Sequence, residues 1–146
     1  MTIYIDADGC PVVSQAIDIA KEKEVTAVIV CDSAHEFRIN GVQVICVSKG
    51  VDSADFAILN RMSKGDIIVT QDYGLAALVL TRGGFAIDQN GRLYEEDTID
   101  SLLDSRYLSA MARRAGYRTK GPKARTKEQN RAFHAHKCYF KCSKSK

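Results

Sequence analysis

Six aspartates stand just beyond the ends of four apolar runs. "TIYID" closes on Asp6, with Asp8 two residues further on. "VTAVIVC" runs into Asp32. "VQVICVS" leads through a short loop to Asp52 and Asp55, and "IIVTQD" closes on Asp72. Any one of them alone is ordinary, because aspartate accepts hydrogen bonds from the unpaired amides of turns and helix starts. Asp52 or Ser53 suits the cap of a helix beginning at 54, and Asp72 suits the cap of one beginning at 73. As a set they say more. Carboxylates gathered within a few ångströms repel, and the repulsion is relieved by a proton or a counter-ion. A hard divalent cation is the usual counter-ion: Mg²⁺ or Mn²⁺ takes one or two carboxylates, keeps several waters and accepts phosphate oxygens from a substrate. Such a centre hydrolyses phosphodiesters by activating water and neutralising charge on the leaving oxygen. The candidate ligands are Asp6, Asp8, Asp52, Asp55 and Asp72, with Asp6, Asp52, Asp55 and Asp72 as the catalytic set. Asp8 and Asp32 are also candidates for a supporting role. Asp18, Asp66, Asp88 and Asp97 are assigned to caps, turns and surface. No paired His/Glu zinc motif, P-loop or G-x-S-x-G elbow offers a competing chemistry.

The apolar runs are the elements that must position these groups. Residues 2–6, 25–31, 42–48 and 67–70 read as strands. The second is apolar at nearly every position, as in a parallel sheet covered on both faces. Between them lie helical patterns: Pro11 at a first helical position followed by Val12, Val13, Ala16, Ile17 and Ala20; Ala54, Ala57, Ile58 and Met62; and "YGLAALVLTRG", which Gly83 terminates. Strands alternating with helices predict a three-layer α/β/α domain with a mainly parallel central sheet. In such sheets ligands bind beyond the carboxyl ends of the strands, where all six aspartates would lie. Further on, Asn90-Gly91 between two short alternating runs signals a hairpin. Residues 98–114 form an amphipathic helix with Ile99, Leu102, Leu103 and Leu108 on one side and Gly116 as its stop. Thr126 and Gln129 form a capping box for a last helix.

The 146 residues suit a single domain, with 116–146 as a basic C-terminal extension. The net charge of +3 conceals a strong asymmetry. Residues 1–105 carry eight Lys and Arg against seventeen Asp and Glu, whereas residues 106–146 carry thirteen against Glu128 alone. A segment at +12 on a body at −9 either docks on that body or binds a polyanion, and nucleic acid is the commonest polyanionic partner. Lys49, Arg113, Arg114 and Lys123 are candidate phosphate contacts, with Arg118, Lys120 and Arg125 beside them. Tyr107 and Tyr117 are available for stacking, with packing as the commoner role. No apolar run reaches the ~18 residues of a membrane span, and the acidic start is unlike a secretory signal, so a cytoplasmic protein with no membrane partner is expected. Five scattered cysteines read as reduced thiols. His134, His136, Cys138 and Cys142 carry zinc-ligand types, but at i, i+4 spacings that equally suit a packed helix face.

Taken in order, "IDADGCPV", "VSKGVDSADFAI", "GDIIVTQDYGLA", "RGGFAIDQNGRLY" and "GYRTKGPKARTKEQNRAF" resemble the YaiI/YqxD family of bacterial proteins, over nearly the whole chain to about residue 134. The last residues, "HAHKCYFKCSKSK", depart from the family pattern. That family is grouped with the PIN-like nucleases, and "KGVD", a helix and "GDIIVTQD" resemble their NYN branch. The resemblance implies a PIN-like fold. It also implies binding of Mg²⁺ or Mn²⁺ by Asp6, by Asp52 or Asp55, and by Asp72, with Asp8 nearby. Two other functions fit the residues: a non-catalytic RNA-binding or ribosome-associated module, and a phosphatase of the haloacid-dehalogenase kind. The second follows from "IDADGCP", which resembles that family's D-x-D-G opening and would use Asp6 as nucleophile and Asp8 as general acid.

Overall fold

The described residues form ten elements: β1 (Thr2–Asp6), α1 (Val13–Glu22), β2 (Thr26–Asp32), β3 (Gln43–Val47), α2 (Ser53–Arg61), β4 (Ile67–Val69), α3 (Tyr73–Thr81), β5 (Phe85–Ile87), α4 (Glu96–Arg114) and α5 (Lys127–Ala135). The computed structural model describes residues 1–8, 10–32, 39–48, 53–116 and 123–135. All five strands are parallel, in the order β3-β2-β1-β4-β5.

Side chains alternate across each strand, and so feed two separate cores. Ile3, Ile5, Ile29, Ile67 and Val69 face one layer, where Val13, Ala16 and Ile17 of α1 and Phe133 of α5 cover them. Tyr4, Val28, Val30 and Ile68 face the other, under Ala57 and Ile58 of α2, Leu75, Ala76 and Val79 of α3, and Ile99 of α4. The result is the expected α/β/α sandwich, an architecture consistent with a PIN-like fold. Full burial of each large aliphatic side chain is worth about 1.5–3 kcal/mol, so both faces of β1 and β4 are held firmly. Asp66 lies at the start of β4, away from the acidic edge. It is 6% exposed and accepts hydrogen bonds from the amides of Thr2 and Ser63, both at 2.8 Å, so its carboxylate ties β1 to β4 structurally.

Some elements differ from expectation in detail. Helix α1 starts at Val13 with Val12 as its cap residue, so Pro11 sits in the turn before it. The run after Gly83 is β5, a fifth parallel strand beside β4. The Asn90-Gly91 turn then returns the chain to a single antiparallel bridge, Ile87 to Leu93, short of a full hairpin. In α4 only Ile99 is buried and Leu108 is 64% exposed, because the helix packs on α3 through its first half. Gly83 and Gly116, at φ +74° and +87°, end α3 and α4 in the left-handed conformation that glycine adopts at least cost.

The described part of the basic C-terminal segment, residues 123–135, docks. Thr126 and Gln129 form the capping box, amide to side chain in both directions at 2.9 and 3.3 Å. Phe133 is fully buried against the α1 face. Arg125 donates to Asn130 at 2.7 Å, to Asn90 at 3.2 Å and to the Gln89 carbonyl, clamping the segment to the turn after β5. Arg125 is therefore a structural tie and not the phosphate contact expected of it. Among the described residues no helix is long and apolar enough to cross a membrane.

Candidate active site

In the order 3-2-1-4-5 the chain winds outward in opposite directions from β1 and β4, so the crevice beyond their carboxyl ends is the switch point of the sheet. Asp6 is the last residue of β1, and Thr70 follows β4 directly. The Thr70 hydroxyl donates to Oδ2 of Asp6 at 2.8 Å and accepts the amide of Asp72 at 3.0 Å. Asp72 in turn caps α3: its Oδ1 accepts the amides of Gly74 at 2.8 Å and Leu75 at 3.3 Å. One fully buried threonine thus links two carboxylates that lie 66 residues apart in sequence. Among the described contacts, Asp6 Oδ1 and Asp72 Oδ2 accept no hydrogen bond, so each carboxylate keeps an oxygen for another ligand.

The electrostatics are unfavourable as they stand. Burial pushes the Asp6 carboxyl up to about 6, and the charges of Asp8 and Asp72 push the same way against the Thr70 hydrogen bond. Asp8 itself is turned toward β2, where its two oxygens accept the Asp32 amide at 3.1 and 3.3 Å. Asp32 therefore supports Asp8 through its backbone. Asp55, in the first turn of α2, shares a 300 Å³ hollow with Asp72, Phe56, Leu78 and Arg106. The Arg106 guanidinium lies 3.5 Å from Oδ1 of Asp72.

Of the expected ligands, then, Asp6 and Asp72 are linked through Thr70, Asp8 is close enough to perturb Asp6, and Asp55 lines the same hollow as Asp72. Asp52 and Lys49 lie outside the described residues, as do Arg118, Lys120, His136, Cys138 and Cys142. Among the described residues, no three carboxylate, imidazole or thiolate side chains form a metal-holding group. That excludes an all-protein cage built from them.

Arg113, Arg114 and Lys123 are exposed, and Tyr107, at 65% exposed, is not a packing residue. Sequence reading missed Thr70 and Arg106. Thr70 has a signal in retrospect, a hydroxyl between a buried strand and the Asp72 cap. Arg106 is the residue at which the charge of the chain changes sign. Its reach to Asp72 depends on how α4 packs across α3, which no local pattern encodes.

A doubly wound parallel α/β domain with an acidic cluster at its switch point is the class that fold and site define. Within that class the chain belongs to the YaiI/YqxD family. The family model, described as "Uncharacterized BCR, YaiI/YqxD family", matches residues 4–137. A UPF0178 protein of Exiguobacterium sibiricum is 54% identical over 133 residues, 91% of each chain. One from Clostridium acetobutylicum is 42% identical over 137 residues, 92% of this chain and 93% of its own. One from Bacillus cereus is 44% identical over 138 residues, 92% of this chain and 94% of its own. No solved structure matches the chain.

Proposed function

We propose that this protein is a divalent-metal-dependent, PIN-like phosphodiester hydrolase that acts on RNA. The observation that carries this reading is the Asp6–Thr70–Asp72 network at the switch point of the sheet: two linked carboxylates, each with an oxygen to spare. Asp6 and Asp72 would hold Mg²⁺ or Mn²⁺, with Asp52 or Asp55 beside them. Held there, the ion supplies an activated water and offsets charge on the leaving oxygen. The chain's own residues do the rest. Thr70 fixes the Asp6 carboxylate, and the α3 amides fix that of Asp72. Arg106 offers a guanidinium to a phosphate approaching Asp72, an anion that the acidic edge would otherwise repel. Arg113, Arg114 and Lys123 extend the positive surface for neighbouring phosphates.

The test is cleavage of a labelled RNA by wild type and by Asp72→Asn, with Mn²⁺ or with EDTA. Asparagine caps helices as well as aspartate does, so the variant should stay folded while cleavage falls by two orders of magnitude or more. Salt-sensitive RNA binding that ignores both EDTA and the substitution would identify a non-catalytic binder. Turnover of a phosphomonoester with trapping on Asp6 would identify a phosphatase.

A further inference from the structure

A second cleft, of about 510 Å³, opens on the far side of Asp72 and is lined by Gln71 and Tyr73, the two residues flanking it. Its size falls in the usual range for a small-molecule site, about 300–1,000 Å³. One wall is aromatic and rigid. Tyr73 packs edge-to-face on Tyr94 at 5.9 Å, and the Tyr94 hydroxyl donates to the Thr70 carbonyl at 3.1 Å. The cleft is thus braced by the residue that links Asp6 to Asp72.

Three charged side chains line it: Asp88, whose Oδ1 is engaged by the amides of Asn90 and Arg92 at 2.8 and 2.9 Å, and, of opposite charge at the rim, Arg92 and Glu95. Arg92 makes no hydrogen bond or ion pair through its guanidinium with any described residue. Glu95 occupies the cap position of α4, yet its side chain makes no capping hydrogen bond. Among the described residues neither charge has a partner, and three residues apart they do not pair with each other. A ligand that satisfies both must present acceptors to a guanidinium and donors to a carboxylate, on a flat body that packs against tyrosine. Among the nucleobases, guanine alone offers a paired acceptor edge, O6 and N7, which arginine reads bidentately. It also offers a paired donor edge, N1–H and N2–H₂, that a carboxylate can accept. We infer that the cleft beside Asp72, formed by Tyr73, Arg92 and Glu95, is a guanine-binding subsite. Its use, to seat the nucleotide next to the phosphate being cleaved, rests on the hydrolase reading above; its existence does not.

The test titrates the four free nucleosides into the protein in EDTA, followed by ligand-observed NMR and calorimetry. Nucleosides carry no phosphate, so neither a metal nor the acidic edge takes part. Guanosine should bind about tenfold or more tighter than adenosine, cytidine or uridine, in line with one bidentate pair. Arg92→Ala and Glu95→Gln, both on the exposed rim, should each erase that preference, and Thr98→Trp should fill the cleft and abolish binding. Asp72→Asn should leave guanosine binding unchanged. Equal binding of all four nucleosides, no binding of guanosine, or wild-type behaviour of the three cleft variants would overturn the subsite. Failure of the hydrolase reading would look different: RNA left intact with Mn²⁺ while guanosine still binds.

Discussion

Replacing Asp6 by asparagine should make the folded domain more stable near neutral pH. In the unfolded chain the carboxyl titrates near 3.8, and in the fold at about 6. Between those values the folded state holds more protons than the unfolded one, so stability falls as pH rises. The group is harmless below its unfolded pKa, and its ionisation weighs against the fold fully once pH exceeds about 6. A shift of about two units at 1.36 kcal/mol each comes to about 3 kcal/mol, and partial water access trims this to about 2 kcal/mol. Asparagine has the same shape, and its Oδ1 can still accept from the Thr70 hydroxyl. For a domain of this length about 2 kcal/mol corresponds to about 4–8 °C in Tm. The assay is thermal unfolding of both proteins in EDTA at pH 4.5, 6.0 and 7.5. Asp6→Asn should have the higher Tm at pH 7.5, with the difference shrinking toward none near pH 4. A variant less stable than wild type at pH 7.5, or a difference that does not change with pH, would refute the reasoning. The charge of Asp6 would then not be the burden its surroundings imply.

Four further outcomes follow from particular contacts. Phe133→Ala should cost about 3–5 kcal/mol in denaturant unfolding, because it empties a fully buried site between α5 and α1. Arg125→Ala should cost about 1–3 kcal/mol by leaving the Gln89–Asn90 turn and the start of α5 untied, and an unchanged midpoint would disprove the docking of this segment. Arg106→Ala should lower kcat/KM for RNA at least tenfold while moving the unfolding midpoint by under about 0.5 kcal/mol, since its ion pair with Asp72 is largely solvent-exposed. In native protein at pH 8, a thiol reagent should label exposed Cys46 before Cys31, which is buried and pushed up to about 11 by burial and by the Cys46 thiol 3.8 Å away; mass mapping distinguishes the two.

The parallel sheet was legible because its strands carry apolar residues on both faces. Ile3, Tyr4 and Ile5 can be continuous only if helices cover each side, and the two cores divide them accordingly. Asp6 and Asp72 could be placed on one edge for the same reason: parallel strands align their carboxyl ends. Their link was not legible. Thr70 acquires its role only when β4 pairs with β1, in a register set by Ile5 opposite Val69. Leu108 shows the converse limit. Its spacing fits an apolar stripe, but α4 runs on past the helix it packs against, so the second half of the stripe meets no partner. Arg125 shows how charge misleads when read by sign alone. Within a strongly basic segment it looks like a phosphate contact, yet its planar fork of donors is used on Asn90, Gln89 and Asn130. The described part of the C-terminal segment proves to be partly dock and partly surface, and composition alone does not separate those roles.

The most direct test of the metal-dependent site is calorimetric titration of Mn²⁺ into wild type, Asp6→Asn, Asp72→Asn and the double variant at pH 7.5. The wild type should bind saturably, each single variant at least tenfold more weakly and the double variant not at all, with all four proteins folded. Absence of Mn²⁺ binding by the wild type, or wild-type binding by the double variant, would contradict a metal centre at Asp6 and Asp72 and the hydrolase built on it.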